Sequence, residues 1–228
     1  MDFKLPPRME NSHKGTYGKV LNVSGSKYMT GAAYLSSMAA LKSGCGYVFL
    51  ASCEECIRTV AAQTQAIVFV PLSDLQLHLP SANVVLLGCG LGVDEEAVRI
   101  FQASLSDKPT LIDADGLNIL AEYGAEKLPP KLVLTPHPLE ASRLLGGVDV
   151  DVILNNTEKF SHKISEKYNC VTVLKTHRTV VTSPNGDEYR NTTGNCAMAK
   201  AGSGDVLAGM IASFIAQGMD IFEASCLG

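Results

Sequence analysis

A loop of small residues runs from Gly194 to Asp205 and leads directly into an apolar helix. Glycine lets a ligand approach the backbone closely, and the first N–H groups of a helix have no partners inside it. Such a helix end binds anions, so we predict that it holds a transferring phosphoryl group while Asp205 takes a hydroxyl proton. The predicted catalytic residues are Asp205, Gly202, Ser203 and Gly204. The alternative is that Asp205 is an ordinary helix cap.

Polar side chains also follow two apolar runs further up the chain. The strand that begins at Thr110 carries Asp113 and Asp115 towards its carboxyl end, and His137 stands between two prolines after another strand. In open α/β sheets this end faces the ligand crevice. Asp113 and Asp115 either cap the next helix or help to place substrate or metal, and His137 is predicted to contact a ligand.

Two shorter motifs, and the absence of a third, are less informative. The turn from Gly88 to Gly92 lacks the third glycine of a dinucleotide fingerprint, so it is either a tight turn or a place where a ligand approaches Gly90. The pair Cys53 and Cys56 has neither a second pair nor histidines at metal spacing, which favours the start of a surface helix over a redox or zinc site. The chain has no P-loop, so a nucleotide must be bound by another device.

Strand and helix patterns alternate along the chain, which predicts a parallel α/β sheet. Predicted strands cover residues 19–24, 47–50, 66–70, 84–87, 170–174, 180–182 and 188–190, and two more begin at Thr110 and Leu132. Predicted helices cover about residues 30–42, 54–61, 94–103 and 155–168. The last two strands form a hairpin, and Lys175 and Thr179 lie on the polar turn that opens it, where we expect their donors to be exposed.

Composition restricts the class of protein. The 228 residues suit one domain, spanning 1–228, and the net charge of -4 without a basic cluster argues against nucleic acid as a partner. We find no signal peptide and no apolar run long enough for a membrane span, so a cytoplasmic protein without a membrane partner is expected. The seven cysteines are expected to be reduced and mostly buried.

Several motifs together resemble those of the NAD(P)H-hydrate dehydratases, which share the fold of ribokinase-type small-molecule kinases. The resemblance covers about residues 18–218 and rests on the ordered motifs 31–33, 88–92, 111–118, 135–140 and 202–205. It implies a ribokinase-like α/β fold with a mostly parallel central sheet and helices on both faces. It also implies ADP- or ATP-dependent dehydration of hydrated NADH and NADPH.

The resemblance also implies roles for particular residues. Substrate would be bound by Ala32, Gly90, His137 and Asp205, and the adenine nucleotide by Lys175, Thr176, His177, Arg178, Thr179 and Gly204. Mg²⁺ would accompany ADP or ATP, with ligands that the sequence does not identify. With histidine at position 137, the chain resembles the bacterial branch of the family, which uses ADP. An NAD(P)H-hydrate epimerase is the implied functional partner, and a homo-oligomer is expected.

The chain departs from the family pattern at two places. Thr176 stands where relatives usually have glycine, and the chain stops at Gly228 inside a predicted helix, so further C-terminal helices are expected to be missing. Two other functions remain open on the residues alone. A ribokinase-type kinase of a vitamin precursor or sugar needs the same aspartate and anion site, and a dinucleotide-binding module without catalysis would use Asp205 as a cap.

Overall fold

The computed structural model describes residues 4–228, so Met1–Phe3 of the predicted domain lie outside the described residues. Within that range one sheet contains the strands β1 (Lys19–Val23), β2 (Tyr47–Ser52), β3 (Val68–Pro71), β4 (Val84–Leu87), β5 (Thr110–Ile112), β6 (Leu132–Leu134), β7 (Val171–Leu174), β8 (Val180–Thr182) and β9 (Glu188–Arg190). Their order is β3-β2-β1-β4-β5-β6-β7-β8-β9. Strands β1 to β7 pair in parallel, whereas β8 and β9 pair antiparallel as the predicted hairpin.

Helices cover both faces of this sheet. They are α1 (Thr30–Lys42), α2 (Glu54–Ala61), α3 (Leu75–His78), α4 (Glu95–Ser104), α5 (Asp115–Tyr123), α6 (Pro138–Leu144), α7 (Val150–Leu154), α8 (Thr157–Tyr168), α9 (Ser203–Ala216) and α10 (Ile221–Leu227). One hydrophobic core lies between the sheet and helices α1, α2, α9 and α10. The second core lies between the opposite face and helices α4, α5, α6 and α8. The predicted α/β fold class is confirmed.

Helices α1 and α9 pack side by side with their backbones close together. A Cβ atom on Gly209 of α9 would lie 2.2 Å from the backbone oxygen of Ser36 and 2.9 Å from Cβ of Ala39, both in α1. No side chain larger than hydrogen fits there, as the many small residues of α1 predict. This contact fixes α9 against α1. The beginning of α9 lies at the carboxyl edge of the strands, since a Cβ on Gly204 would lie 3.8 Å from Oδ2 of Asp113.

The direction in which successive strands are added to the sheet reverses at β1. Strands β2 and β3 lie on one side of β1, and β4 to β7 continue on the other. At such a reversal the connections leave the two central strands in opposite directions, which opens a crevice beyond their carboxyl ends. The crevice in this fold therefore lies beyond Val23 and Leu87.

Several predicted boundaries need correction. The strand that begins at Thr110 ends at Ile112, because Ala114 turns the chain with a φ of 53° and Asp115 already begins α5. The predicted helix over 155–168 is shorter at its start, since Asn155 is the C-cap residue of α7 and α8 begins at Thr157. The helices predicted at 30–42 and 54–61 and the strand at 84–87 have the predicted bounds. No helix among residues 4–228 has the length and apolarity that crossing a membrane requires.

Candidate active site

The beginning of α9 is built as the sequence predicts, with a different residue at the cap. Gly202 occupies the N-cap position with a φ of 88°, and Asp205 is the third residue of the helix. A Cβ on Gly202 would lie 2.4 Å from Cδ1 of Leu35, so both backbone conformation and space require glycine. The interpretation of Asp205 as an ordinary helix cap is therefore wrong.

Backbone N–H groups face the crevice at this helix end. The first helical bond runs from the Val206 N–H to the Gly202 oxygen, so the amides of Gly204 and Asp205 precede it. The Ser203 hydroxyl donates to the Met198 backbone oxygen at 2.7 Å and so fixes the preceding turn. The helix dipole and these amides together favour a negatively charged group at this position.

Asp205 lies in an acidic, half-buried environment. Burial raises the pKa of the Asp205 carboxyl, and the neighbouring Asp113 carboxylate raises it further, while a hydrogen bond with Cys89 lowers it. The Sγ atom of Cys89 and a carboxylate oxygen of each aspartate all lie within 4.8 Å of one another. A raised pKa makes Asp205 a stronger base than an exposed aspartate, which suits it to accept a hydroxyl proton near neutral pH.

Asp113 is held by side chains from the two following strands. Its Oδ1 accepts a hydrogen bond from the Thr135 hydroxyl at 2.7 Å and another from the Lys175 ammonium at 2.7 Å. Asp115 instead accepts a bond from the Gly92 backbone N–H at 2.9 Å, while Ala114 occupies the cap position of α5. Neither aspartate is therefore the residue at the cap of α5, and each positions another part of the crevice.

Lys175 is not at an exposed hairpin corner, contrary to the prediction. Only 19% of its side chain is exposed, and its ammonium lies 3.9 Å from Oε2 of Glu140 in addition to its bond with Asp113. The reason is that Lys175 directly follows β7, which lies beside β6, so its side chain joins the other groups at the carboxyl edge. The two carboxylates outweigh the effect of burial and raise the pKa of the lysine.

His137 and Glu140 cap the beginning of α6 together. Nδ1 of His137 accepts from the N–H groups of Leu139 at 3.1 Å and Glu140 at 3.3 Å, and Oε2 of Glu140 accepts from the His137 N–H at 2.7 Å. Burial and the charge on Lys175 lower the pKa of His137. Burial raises the pKa of Glu140 to about 7. His137 is therefore a neutral, half-exposed imidazole at neutral pH.

A cavity of about 420 Å³ joins β7, β8 and the beginning of α9. Six of the predicted site residues line it: His137, Lys175, Thr176, Thr179, Ser203 and Gly204. The predicted nucleotide residues His177 and Arg178 do not, and they line a separate depression beside Glu158 and Arg190. His137, a predicted substrate residue, thus shares a cavity with predicted nucleotide residues.

The two remaining substrate residues lie next to each other. A Cβ on Gly90, whose φ is 64°, would lie 2.8 Å from Cβ of Ala32 and equally close to Cβ of Met29. Gly88 begins a tight turn, in which the Leu91 N–H donates to the Gly88 oxygen at 3.1 Å, and a Cβ on Gly88 would lie 2.4 Å from the Asp113 backbone oxygen. The close packing against Ala32 accounts for Gly90 without a ligand, so contact with substrate at these two residues stays a prediction.

The described residues do not form a dedicated magnesium cage. The cluster of Cys89, Asp113 and Asp205 offers a thiol, which Mg²⁺ does not select, and the Asp113 carboxylate is already bonded to Lys175. Mg²⁺ commonly binds through substrate phosphates and water with one or two protein carboxylates. The site thus accommodates a metal carried by a nucleotide better than a resident ion.

Sequence reasoning did not select Cys89, Thr135 or Glu140 as site residues. Cys89 is fully buried and donates to Oδ2 of Asp113 at 3.7 Å, and burial and the two aspartates raise the pKa of its thiol well above the ordinary range. All three residues follow the carboxyl ends of parallel strands, and that position is the signal that could have identified them.

Comparison with known proteins gives a consistent result. The family model described as NAD(P)H-hydrate dehydratase matches residues 20–228. The chain is 39% identical over 228 residues to the ADP-dependent (S)-NAD(P)H-hydrate dehydratase of Neisseria meningitidis, covering 97% of this chain and 77% of that protein. It is 35% identical to the bifunctional NAD(P)H-hydrate repair enzyme of Escherichia coli, covering 98% of this chain and 44% of that enzyme.

A solved structure with a similar fold is the ADP/ATP-dependent NAD(P)H-hydrate dehydratase of Bacillus subtilis, co-crystallised with ATP and Mg²⁺. It superposes with a TM-score of 0.85 at 31% identity, covering 97% of this chain and 80% of the Bacillus chain. The hydroxyethylthiazole kinase of Pyrococcus horikoshii, at 15% identity and a TM-score of 0.63, shares the fold alone.

Proposed function

The chain belongs to the NAD(P)H-hydrate dehydratase family, and we propose that it converts hydrated NADH and NADPH back to NADH and NADPH at the expense of ADP or ATP. The observation that carries the proposal is the placement of Asp205, a half-buried carboxylate with a raised pKa, on the first turn of α9. A base beside an anion-binding helix end matches a reaction that takes a proton from a hydroxyl and passes a phosphoryl group to it.

The proposed chemistry has two steps. Asp205 removes the proton from the hydroxyl on the reduced nicotinamide ring, the oxygen attacks the terminal phosphorus of the nucleotide, and the bond from phosphorus to the departing nucleotide breaks. The ring nitrogen then expels phosphate by breaking the carbon–oxygen bond, and a proton leaves the adjacent ring carbon to restore the dihydropyridine. Backbone amides of Gly204 and Asp205 would stabilise the phosphoryl group during transfer. Each donor directed at the developing charge lowers the barrier of such a reaction by about 3 kcal/mol.

We propose ADP as the preferred donor. The name of the Neisseria relative supports ADP, and that of the Bacillus structure supports either nucleotide. With ADP the β-phosphoryl group would lie at the amides of α9 and AMP would leave. The ratio of kcat/KM for ADP and ATP with hydrated NADH measures the preference, since it compares the two transition states. A clear preference for ATP would contradict the proposal.

Other expected partners remain proposals. The Bacillus complex with ATP and Mg²⁺ supports Mg²⁺ as the companion of the nucleotide here. The bifunctional relatives, of whose length this chain spans about half, support a second repair activity as functional partner, which we propose is an NAD(P)H-hydrate epimerase. We propose one catalytic domain, a homo-oligomer and a cytoplasmic location, the last supported by the seven free cysteines.

One assay separates the proposed function from its competitors. Hydrated NADH is incubated with ADP or ATP and Mg²⁺, and the absorbance of reduced nicotinamide is followed together with inorganic phosphate. A dehydratase produces both signals in equal amounts. A kinase that keeps phosphate on its product produces neither, and a dinucleotide-binding module binds hydrated NADH without turnover, so either result would contradict the proposal.

A further inference from the structure

The ammonium of Lys175 lies directly beside the beginning of α9. A Cβ on Gly204, the second residue of that helix, would lie 3.4 Å from Nζ of Lys175 and 3.8 Å from Oδ2 of Asp113. Lys175 and Gly204 line the same cavity, with Ser203 next to them. A fixed positive charge therefore adjoins the backbone amides that we assign to the phosphoryl group.

One acidic side chain bonds this ammonium, and a second lies near it. Asp113 accepts its hydrogen bond at 2.7 Å, and Oε2 of Glu140 lies 3.9 Å away on another element. Asp113 is itself fixed by the Thr135 hydroxyl, at 2.7 Å. An ammonium has three donors, so a bond to Asp113 leaves others to reach into the cavity. The long separation from Glu140 leaves that pair without a direct hydrogen bond.

A structural ion pair alone accounts for the pairing of Lys175 with Asp113 but not for its location. A buried pair is weak as a source of stability, because the cost of removing both charges from water offsets their attraction. Here the pair lies at the end of a helix dipole that favours anions, and 19% of the lysine side chain remains open to the cavity. A cation at this position complements a group whose negative charge lies between the amides and the ammonium.

We propose that Lys175 is a catalytic residue whose ammonium stabilises the phosphoryl group during transfer, with Asp113 as its positioning residue. The role rests on the proposed function. In the step concerned, Asp205 takes the hydroxyl proton, the new oxygen–phosphorus bond forms, the bond from phosphorus to AMP breaks, and Lys175 keeps its proton throughout. This role differs from binding of the adenine nucleotide in the ground state. The Lys175 ammonium contacts the charge on the moving phosphoryl group most closely in the transition state.

The test replaces Lys175 by methionine, which keeps the length of the side chain and removes its charge. With ADP and hydrated NADH we expect kcat to fall at least about a hundredfold, while the Kd for ADP changes less than about threefold. Lys175→Arg keeps the charge in another shape and should lose less. The matched control is Lys167→Met on α8, which removes an ammonium that donates to the Leu144 backbone oxygen of α6 and should leave kcat unchanged.

A second pair of variants covers loss of folding. If Lys175→Met unfolds because Asp113 is left uncompensated, the double variant with Asp113→Asn removes both charges and should fold but remain inactive. Asp113→Asn alone should lower kcat about tenfold with the Kd for ADP unchanged, as expected of a residue that acts through another. A kcat within fivefold of the parent, or an equal loss in ADP affinity and kcat/KM, would overturn the assignment.

Binding of a phosphoryl mimic separates this proposal from the proposed function. AMP with aluminium fluoride presents a planar anion at the transfer position and needs no turnover. Calorimetry should show that the parent binds the mimic more tightly than AMP alone and that Lys175→Met loses this difference but keeps its affinity for AMP. If the parent fails to dehydrate hydrated NADH while the mimic result holds, the proposed substrate is wrong and the role of Lys175 stands. Equal binding of the mimic by parent and variant overturns that role.

Discussion

The carboxyl edge of the sheet has two unlike parts. Beyond β1 and β4 the chain presents glycines with positive φ, among them Gly25 at 77° and Gly90 at 64°. Beyond β5, β6 and β7 it presents charged and polar side chains, Asp113, His137 and Lys175. Asp205 lies where the two parts meet, since Cys89 of the glycine turn and Asp113 of the charged part both contribute to its pKa.

The difference indicates that the glycine part and the charged part of this edge have separate functions. Glycines provide space and backbone close to a bulky ligand but carry no charge. Charged groups held by one another provide a fixed electrostatic environment that need not reorganise during the reaction. We therefore expect substitutions in the glycine part to affect the dinucleotide and those in the charged part to affect phosphoryl transfer or its pH dependence.

The largest effect is expected at the boundary residue. Asp205→Asn removes the base but keeps size and polarity, so kcat should fall at least about a hundredfold while both ligands still bind. Steady-state kinetics with hydrated NADH, together with calorimetry on each ligand, measures this. Asp94→Asn is the control, because Asp94 caps α4 through the Ala97 N–H and asparagine caps equally well. Activity within a few-fold of the parent would show that Asp205 is not the catalytic base.

In the charged part, Glu140 links stability to pH. Its folded pKa of about 7 lies above the ordinary 4.5, so the folded state holds a proton that the unfolded state has lost between these values. Stability should therefore be full at the acidic end of this window and be lost as pH rises towards 7. The free energy of unfolding should fall by about 2 kcal/mol from about pH 5 to about pH 8, and Glu140→Gln should remove this loss.

Chemical denaturation at a series of pH values measures the effect. The control is Glu96→Gln, which changes an exposed glutamate in the first turn of α4 and should keep the slope of the parent. If Glu140→Gln also keeps that slope, another group accounts for the pH dependence.

In the glycine part, Gly90→Ala should act on the dinucleotide. The new Cβ would press on Ala32 and Met29 at 2.8 Å, and we expect kcat/KM for hydrated NADH to fall about tenfold with ADP affinity unchanged. Gly92→Ala is the control, since its φ of 88° imposes comparable backbone strain but its Cβ would lie 4.0 Å from Cβ of Ala97. Equal losses in the two variants would mean that strain, and not the space beside Ala32, is responsible.

The smallest effect is expected at Thr179, which lines the cavity with Thr176. Removing its hydroxyl, which donates to the Thr176 oxygen at 3.2 Å, should weaken ADP binding about threefold and leave dinucleotide binding unchanged. Separate titrations of the two ligands decide it. Thr59→Ala deletes a comparable hydroxyl bond on the surface of α2 and should change neither affinity. A loss confined to the dinucleotide would place the nucleotide elsewhere.

The sequence by itself determined the alternation of strands and helices, the hairpin at the end of the sheet and the loop that begins α9. These features depend on local patterns: apolar runs of strand length, turn residues, and glycines before an apolar helix. The bounds of α1, α2 and β4 follow from such patterns, whereas the strand that begins at Thr110 was misjudged because nothing local reveals that Ala114 adopts a positive φ.

The tertiary structure decided which side chains meet. Asp113, Glu140 and Lys175 lie up to 62 residues apart in sequence, and they come together because β5, β6 and β7 are neighbours in the sheet. The strand order also turned Lys175 inward from the predicted exposed corner and placed it beside Gly204. Local patterns specify what each segment forms, but the charges around Asp205 depend on long-range packing of segments whose order no single motif encodes.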